Sequence, residues 1–193
     1  MSTIYLMRHG AVDNPDGIFY PASKPLSEQG RAQVAKTALR LQDAGVMPLR
    51  IISSPHVRTR ETAEIVSDYF DDADVLTDVR LQEWIVNSWI GKPFEDFYTH
   101  LGWNDGVREK TDFPSDIESY PAVAERVVSA IRDTLSVSDG ALLISHGEPI
   151  ACAAAFLQNQ SWIFVRKNRI DLADVWKFEF DDMTGKCVVT PVT

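Results

Sequence analysis

Two imidazoles and two guanidiniums stand in positions from which they could work together. Ile4-Tyr5-Leu6-Met7 runs into Arg8-His9-Gly10, and Ala141-Leu142-Leu143-Ile144 runs into Ser145-His146-Gly147. Short apolar runs bounded in this way read as buried strands, and in open α/β sheets ligands bind at the carboxyl ends of the strands. If both strands are central and parallel, His9 and His146 arrive at one sheet edge. A third short run, Arg50-Ile51-Ile52, ends at Ser53-Ser54 and leads into a helix with Arg58 in its first turn. Guanidinium forks match phosphate oxygens. An imidazole serves as nucleophile or proton shuttle. A helix N-terminus adds free N–H groups and the positive end of a dipole. Arg8, Arg58, His9, His146 and that terminus together describe a dianion site suited to phosphate. A lone histidine is usually a satisfied structural residue; here the repeated strand-end context speaks for function. His56, His100 and Arg60 lack that context and read as ordinary structural or surface residues.

These side chains need a scaffold, and strand and helix signals alternate along the chain. Residues 3–7 form the first strand, apolar throughout and therefore central. A polar loop with proline and glycine follows over 13–24. Ser27 is the N-cap of a helix through Gln42, with Val34, Ala38, Leu41, Ala35 and Leu39 as its apolar stripe and Gly45 at the C′ position. Ser54 is expected to cap the next helix, with Pro55 at its first position and Arg58, Thr62, Ile65 and Tyr69 on one face. A turn and short strand occupy 71–77. A helix over 120–135 carries Val123, Val127, Ile131 and Leu135 on one side. The strand over 141–144 feeds an alanine-rich helix with Pro149 in its first turn, and 175–180 and 187–189 form a hairpin around Met183-Thr184-Gly185. The pattern predicts a three-layer α/β/α sandwich over a single domain, 1–193, with a mostly parallel central sheet and a C-terminal antiparallel hairpin. Residues 84–113 are less regular. Their aromatic side chains, Trp84, Trp89, Phe94, Phe97, Tyr98 and Trp103, form either a lid that sets specificity or a satellite apolar cluster. Lys92, Arg108 and Lys110 either meet a second anionic group on the substrate or line a solvated face.

Composition narrows the choices. The 193 residues are 45% hydrophobic, enough for a substantial core. A net charge of −9 argues against nucleic acid and anionic membrane as partners. No window approaches a membrane span, and the N-terminus lacks the basic, apolar and small-residue segments of a signal peptide. Cys152 and Cys187 form neither a disulfide framework nor a CxxC pair, so a cytoplasmic location with reduced thiols is expected. There is no GxGxxG after a strand, no GxxxxGK[ST] and no GxSxG. The four histidines show no metal-ligand spacing in sequence, so neither metal nor cofactor is expected.

Six blocks in order resemble the histidine phosphatase superfamily, the branch that includes the cofactor-dependent phosphoglycerate mutases. They are Leu6-Met7-Arg8-His9-Gly10; Pro25-Leu26-Ser27-Glu28-Gln29-Gly30; Ser53-Ser54-Pro55-His56-Val57-Arg58-Thr59-Arg60-Glu61-Thr62-Ala63; Arg80-Leu81-Gln82-Glu83; Glu118-Ser119; and Ser145-His146-Gly147. The resemblance spans nearly the whole chain. It implies that His9 is a nucleophile forming a phosphohistidine. It further implies that Arg8, Arg58 and His146, with Gly147 and Asn14, hold the phosphoryl group. Glu83 becomes the general acid and base, with Asp78 and Glu109 as rivals. The implied activity is metal-free hydrolysis of a phosphate monoester, small or protein-borne; a phosphomutase and a non-catalytic phospho-ligand module are the alternatives. Mutases of the family are similar to longer chains with closing insertions, which favours the phosphatase. This chain differs from the family pattern at Ala11, where glutamate is common, and at Asn14, one residue early. It differs again over 18–23, which lack the loop's arginine and glycines, and over Trp84-Ile85-Val86. Specificity is expected in 13–24 and 84–113.

Overall fold

The computed structural model describes residues 1–71, 73–102 and 113–192, so Trp103, Arg108, Glu109 and Lys110 lie outside the described residues. The elements in chain order are β1 (Ser2–Arg8), α1 (Glu28–Asp43), β2 (Arg50–Ser53), α2 (Val57–Ser67) and β3 (Asp74–Thr77). Then come α3 (Phe94–His100), α4 (Tyr120–Leu135), β4 (Leu142–Ser145), α5 (Gly147–Leu157), α6 (Ile163–Lys167), β5 (Val175–Phe180) and β6 (Cys187–Pro191). Short 3-10 turns at Val79–Leu81 and Asn87–Trp89 precede α3.

The six strands form one sheet in the order β3-β2-β4-β1-β5-β6. β1, β2, β3 and β4 are parallel; β5 and β6 add the antiparallel edge. Strand alternation sends Ile4 and Leu6 to one face, against Val127 and Ile131 of α4 and Ile150 of α5. Met7 joins the other face, against Val34, Ala38 and Leu41 of α1 and Ala63 and Val66 of α2. The result is the expected three-layer sandwich. Each fully buried branched or aromatic side chain in these layers contributes about 1.5–3 kcal/mol.

Register does the positioning. Arg8 pairs with Ser145 and Ser53 with Ile144, so the residues after β1, β2 and β4 emerge side by side. The ladder runs one residue further than the apolar runs suggest, to Arg8 and Ser145. Gly10 has no left-handed backbone conformation, so it is not there to make a turn. A Cβ on Gly10 would lie 2.6 Å from the Gly30 carbonyl oxygen, and one on Gly30 would lie 2.0 Å from that of Ala11. These two glycines let the segment after β1 rest directly on the first turn of α1.

Several local expectations are corrected. In α1 the buried face is Gly30, Val34, Thr37, Ala38 and Leu41, while Leu39 is 51% exposed, because the 3.6-residue period rotates it away from that face. Gly45 does stand past the helix end with φ +72. Helix α2 starts at Val57 with His56 at the N-cap, not at Ser54. Pro55 favours extended backbone at Ser54, whose N–H bonds the Ile144 carbonyl at 2.9 Å and prolongs the β2 edge. The first N–H of α2, that of Val57, is taken by the Ala22 carbonyl at 2.9 Å, so that terminus is less open to an anion than expected. Its buried face is Arg58, Thr59, Thr62, Ala63 and Val66, with Ile65 and Tyr69 at the margin. Helices α3 and α6, seven and five residues long, are too short to announce themselves by periodicity.

The described part of the aromatic stretch forms a satellite apolar cluster. Trp84, Val86, Phe97, Leu101 and Ile117 form an apolar cluster with Tyr120 and Val123 of α4 and Ala151 and Cys152 of α5. Phe97 is its hub, with ring centroids 4.9 Å from Phe19 and 5.4 Å from Trp84. Bridges from Ile18 to Pro93 and from Phe19 to Ile90 tie the 13–24 loop to this cluster. The described parts of the two weakly patterned regions thus meet in one wall.

Candidate active site

The parallel strand ends bring four of the expected side chains together. His9 follows β1 and is 1% exposed; its N–H bonds the Ser145 carbonyl at 3.1 Å. Its Nδ1 is 2.7 Å from the Gly10 carbonyl oxygen, which can only accept, so Nδ1 carries the proton and Nε2 carries the lone pair. Arg58 Nε donates to that Nε2 at 3.3 Å. His146, the N-cap of α5, is fully buried, and its ring centroid lies 5.2 Å from that of His9.

Arg58 is the centre of the arrangement. It is 1% exposed, on the first turn of α2, beneath the Tyr20 ring at 4.9 Å. Its Nη2 lies 3.1 Å from His146 Nδ1 and 3.6 Å from Glu83 Oε2. Arg8 is held by the Ile170 carbonyl at 2.9 Å and packs on Gly147, where a Cβ would come within 3.2 Å of its Cζ. Arg8 Nε and Arg58 Nη1 are buried without a hydrogen-bond partner among the described residues. A buried unsatisfied donor costs about 1–3 kcal/mol, more when charged. Two such donors on cations facing one cleft are the signature of an anion site.

Burial is the first cause of both histidine shifts. It drives the His9 imidazole well below its ordinary value, with His146, Arg58 and Arg8 adding to the effect. It brings His146 down to about 3, against the opposing pull of Glu83 and with the help of Arg58. Both rings are therefore neutral at pH 7. His146 Nδ1 then accepts from Arg58, and Nε2–H donates to the Ser54 hydroxyl at 2.9 Å. Glu83 Oε2 lies 3.3 Å from His146 Nδ1. Burial pushes the Glu83 carboxyl up, but its neighbours outweigh this and hold it well below the carboxylate range. His146 is the first of these neighbours, followed by the guanidinium of Arg58 and by His9.

Arg126, outside the motifs, and Glu118, inside them, hold Glu83 in place. Arg126 of α4 donates to the carbonyls of Arg80, Gln82 and Glu83 at 2.7, 2.7 and 3.1 Å, and pairs with Glu118 at 2.7 Å. Glu118 also accepts the Ile85 N–H at 3.2 Å. Sequence reading missed Arg126; its signal was an arginine two turns into a helix that follows Glu118-Ser119. It also missed Ser54 as the partner of His146, having given that hydroxyl to a helix cap. Asp78 is engaged by Arg80 at 2.7 Å, away from the histidines. Asn14 does not line the cavity: its amide closes the loop, donating to the Ile18 carbonyl at 3.0 Å and accepting the Ile18 N–H at 3.3 Å. His56 comes closer than expected, its ring 4.8 Å from that of His146, while His100 stacks beside Trp89.

His9, Glu83 and His146 each offer a ligand atom, and these lie within 4.8 Å of one another, a convergence that sequence spacing did not reveal. Donor number and kind would suit a divalent metal. The charge does not suit one, because Arg58 contacts all three groups. Above the cluster lies a cavity of 140 Å³ lined by Arg8, Arg58 and Glu83 at its base and by Phe19, Tyr20, Trp84, Val86, Phe94, Tyr98, Glu148 and Arg169.

Comparison with known proteins agrees with this geometry. The family model described as histidine phosphatase superfamily (branch 1) matches residues 4–192. A probable phosphoglycerate mutase GpmB from Escherichia fergusonii is 32% identical over 165 residues, 79% of this chain and 73% of that one. Among solved structures, Bacillus stearothermophilus YhfR superposes with a TM-score of 0.84 at 23% identity, covering 99% of this chain and 96% of that one. A mycobacterial glucosyl-3-phosphoglycerate phosphatase in complex with VO3 gives 0.81 at 21% identity, covering 100% and 98%. The two structural likenesses establish the fold.

Proposed function

The chain belongs to the histidine phosphatase superfamily, branch 1, and we propose that it is a metal-independent phosphatase that hydrolyses a small phosphate monoester through a phosphohistidine on His9. One observation carries this reading. The His9 Nδ1–H is committed to the Gly10 carbonyl, which leaves the lone pair on Nε2, held by Arg58 Nε at 3.3 Å beside two buried guanidiniums that keep donors without a partner among the described residues.

In the first step His9 Nε2 attacks phosphorus, the ester P–O bond breaks, and Glu83 gives its proton to the departing oxygen. In the second, the Glu83 carboxylate takes a proton from water as the water oxygen attacks phosphorus, and the P–N bond breaks to release phosphate. Arg8 and Arg58 hold the phosphoryl oxygens throughout, each well-placed donor contributing about 3–4 kcal/mol to the transition state, and His146 joins them once the bound dianion raises its imidazole and puts a proton on Nδ1. Glu83 needs a proton for the first step although Arg58 holds it ionised. A dianion set between Arg8 and Arg58 offsets their charge and raises the carboxyl again, so substrate binding itself arms the acid. The guanidiniums supply the charge that a metal would otherwise bring. Two separate free thiols, Cys152 and Cys187, suit a reducing, cytoplasmic setting. No helix among the described residues is long and apolar enough to cross a membrane.

The test is hydrolysis of 4-nitrophenyl phosphate in EDTA by the wild type and His9→Ala, with acid-labile phosphoenzyme trapped from the wild type. Activity in EDTA, its loss in the variant and a phosphoenzyme only in the wild type are expected. Undiminished turnover by His9→Ala removes the nucleophile, and loss of wild-type activity in EDTA removes metal independence. The name of the Escherichia relative keeps a mutase as the second reading; isomerisation of phosphoglycerate, assayed beside phosphate release, separates the two.

A further inference from the structure

The cavity wall contains a charge pair that the proposed reaction does not use. Glu148, the second residue of α5, pairs with Arg169 at 3.0 Å. Arg169 also donates to the Tyr98 hydroxyl at 2.8 Å. Both charged residues line the cavity above Arg8 and Arg58. The other described walls are aromatic or aliphatic, and they are firmly held: Phe19 is fixed by backbone bonds to Lys92 and Gly91 at 2.9 and 2.7 Å, and its ring meets Phe94 edge-on at 4.6 Å.

We propose that Glu148 is a specificity-determining residue. It cancels the charge of Arg169, so that the cavity accepts monoesters of flat, uncharged alcohols such as aryl phosphates and rejects esters whose alcohol carries a carboxylate. The inference rests on the phosphatase reading above. An unopposed Arg169 would be a second cation in the same cleft as the phosphate site, the arrangement that a carboxylated phosphate ester needs. With Glu148 on it, an incoming carboxylate must displace an existing ion-pair partner and then lie near two carboxylates, Glu148 and Glu83. Like-charge juxtaposition of this kind is how sites discriminate against a wrong ligand. A flat ring faces no such obstacle. It meets Phe19, Trp84 and Phe94, which line the cavity, by edge or face.

The experiment compares kcat/KM for phenyl phosphate and 3-phosphoglycerate, in EDTA, for the full chain and two variants. The wild type is expected to prefer the aryl ester by at least about tenfold, the lower end of what one charge-assisted contact is worth. Glu148→Gln should move the ratio toward 3-phosphoglycerate by about 10- to 100-fold. Arg169→Met, at a half-exposed position, should move it the other way, because Glu148 is then unopposed. A wild type that prefers 3-phosphoglycerate, or a ratio unmoved in both variants, overturns the role of Glu148 while leaving the phosphatase reading intact. Activity toward neither ester, with a silent His9→Ala control, overturns both.

Discussion

The buried imidazoles make the fold acid-labile in a definite window. His9 and His146 are 1% and 0% exposed, and both are held neutral, His9 well below its usual 6.5 and His146 at about 3. Unfolded, each titrates near 6.5. Above that value neither state binds a proton and the pair has no effect on stability. Below it the unfolded chain takes up protons that the folded one refuses, so stability falls with pH by about 1.4 kcal/mol per unit for each ring. At pH 5 the loss is about 2 kcal/mol per histidine, about 4 for the pair. For a chain of this length that lowers Tm by roughly 8–16 °C relative to pH 7. His56, down to about 4 and only partly buried, adds a smaller, solvent-screened amount of the same sign. Glu83 and Asp78 have depressed carboxyls, whose stabilisation is present above their ordinary values of 4.5 and 3.8 and lost only below them. The interval from pH 6.5 to 5 therefore isolates the imidazoles. Calorimetric Tm at half-unit steps is the assay, with His146→Gln as the control: its amide can still accept from Arg58 and donate to Ser54 but does not titrate. The variant should lose one proton from the slope. A Tm that falls by less than about 4 °C between pH 7 and 5, or an identical slope in the variant, would refute the reasoning.

Three other expectations concern catalysis and packing. Glu83→Gln should slow phenyl phosphate by about 10²–10⁴-fold and 4-nitrophenyl phosphate much less, since a good leaving group needs no proton; equal small losses on both place the acid elsewhere. Arg126→Met should lower kcat about 10–100-fold with KM nearly unchanged, and it should steepen the dependence on leaving-group pKa; loss of stability alone, with that dependence unmoved, would make Arg126 merely structural. Gly30→Ala forces a Cβ to within 2.0 Å of the Ala11 carbonyl oxygen and should cost at least about 1–3 kcal/mol in chemical denaturation, whereas Gly147→Ala, which presses on the movable Arg8 side chain at 3.2 Å, should show mainly as a raised KM for aryl phosphate.

Much of this molecule was legible in its sequence, for local reasons. Apolar runs of strand length, Ser27 before a helix and Gly45 after it, and the alternation of element types are properties of neighbouring residues. They suffice for a mostly parallel sandwich in which two strands end in Arg-His-Gly and Ser-His-Gly. Where a residue's partner is distant in the chain, local pattern gave the wrong job. Ser54 read as a helix cap because serine before proline usually is one, but the β2–β4 register carries it to His146. Asn14 read as a phosphate contact, but its nearest unsatisfied backbone was its own loop. The metal-like convergence of His9, Glu83 and His146, the Arg126 clamp behind Glu83 and the Glu148–Arg169 pair all join segments far apart in sequence. The sequence by itself determined which groups are present and which strand ends deliver them. Only the tertiary structure decided which of them touch, because contact depends on strand order and register, and these follow from the packing of the whole sheet between its two helical layers.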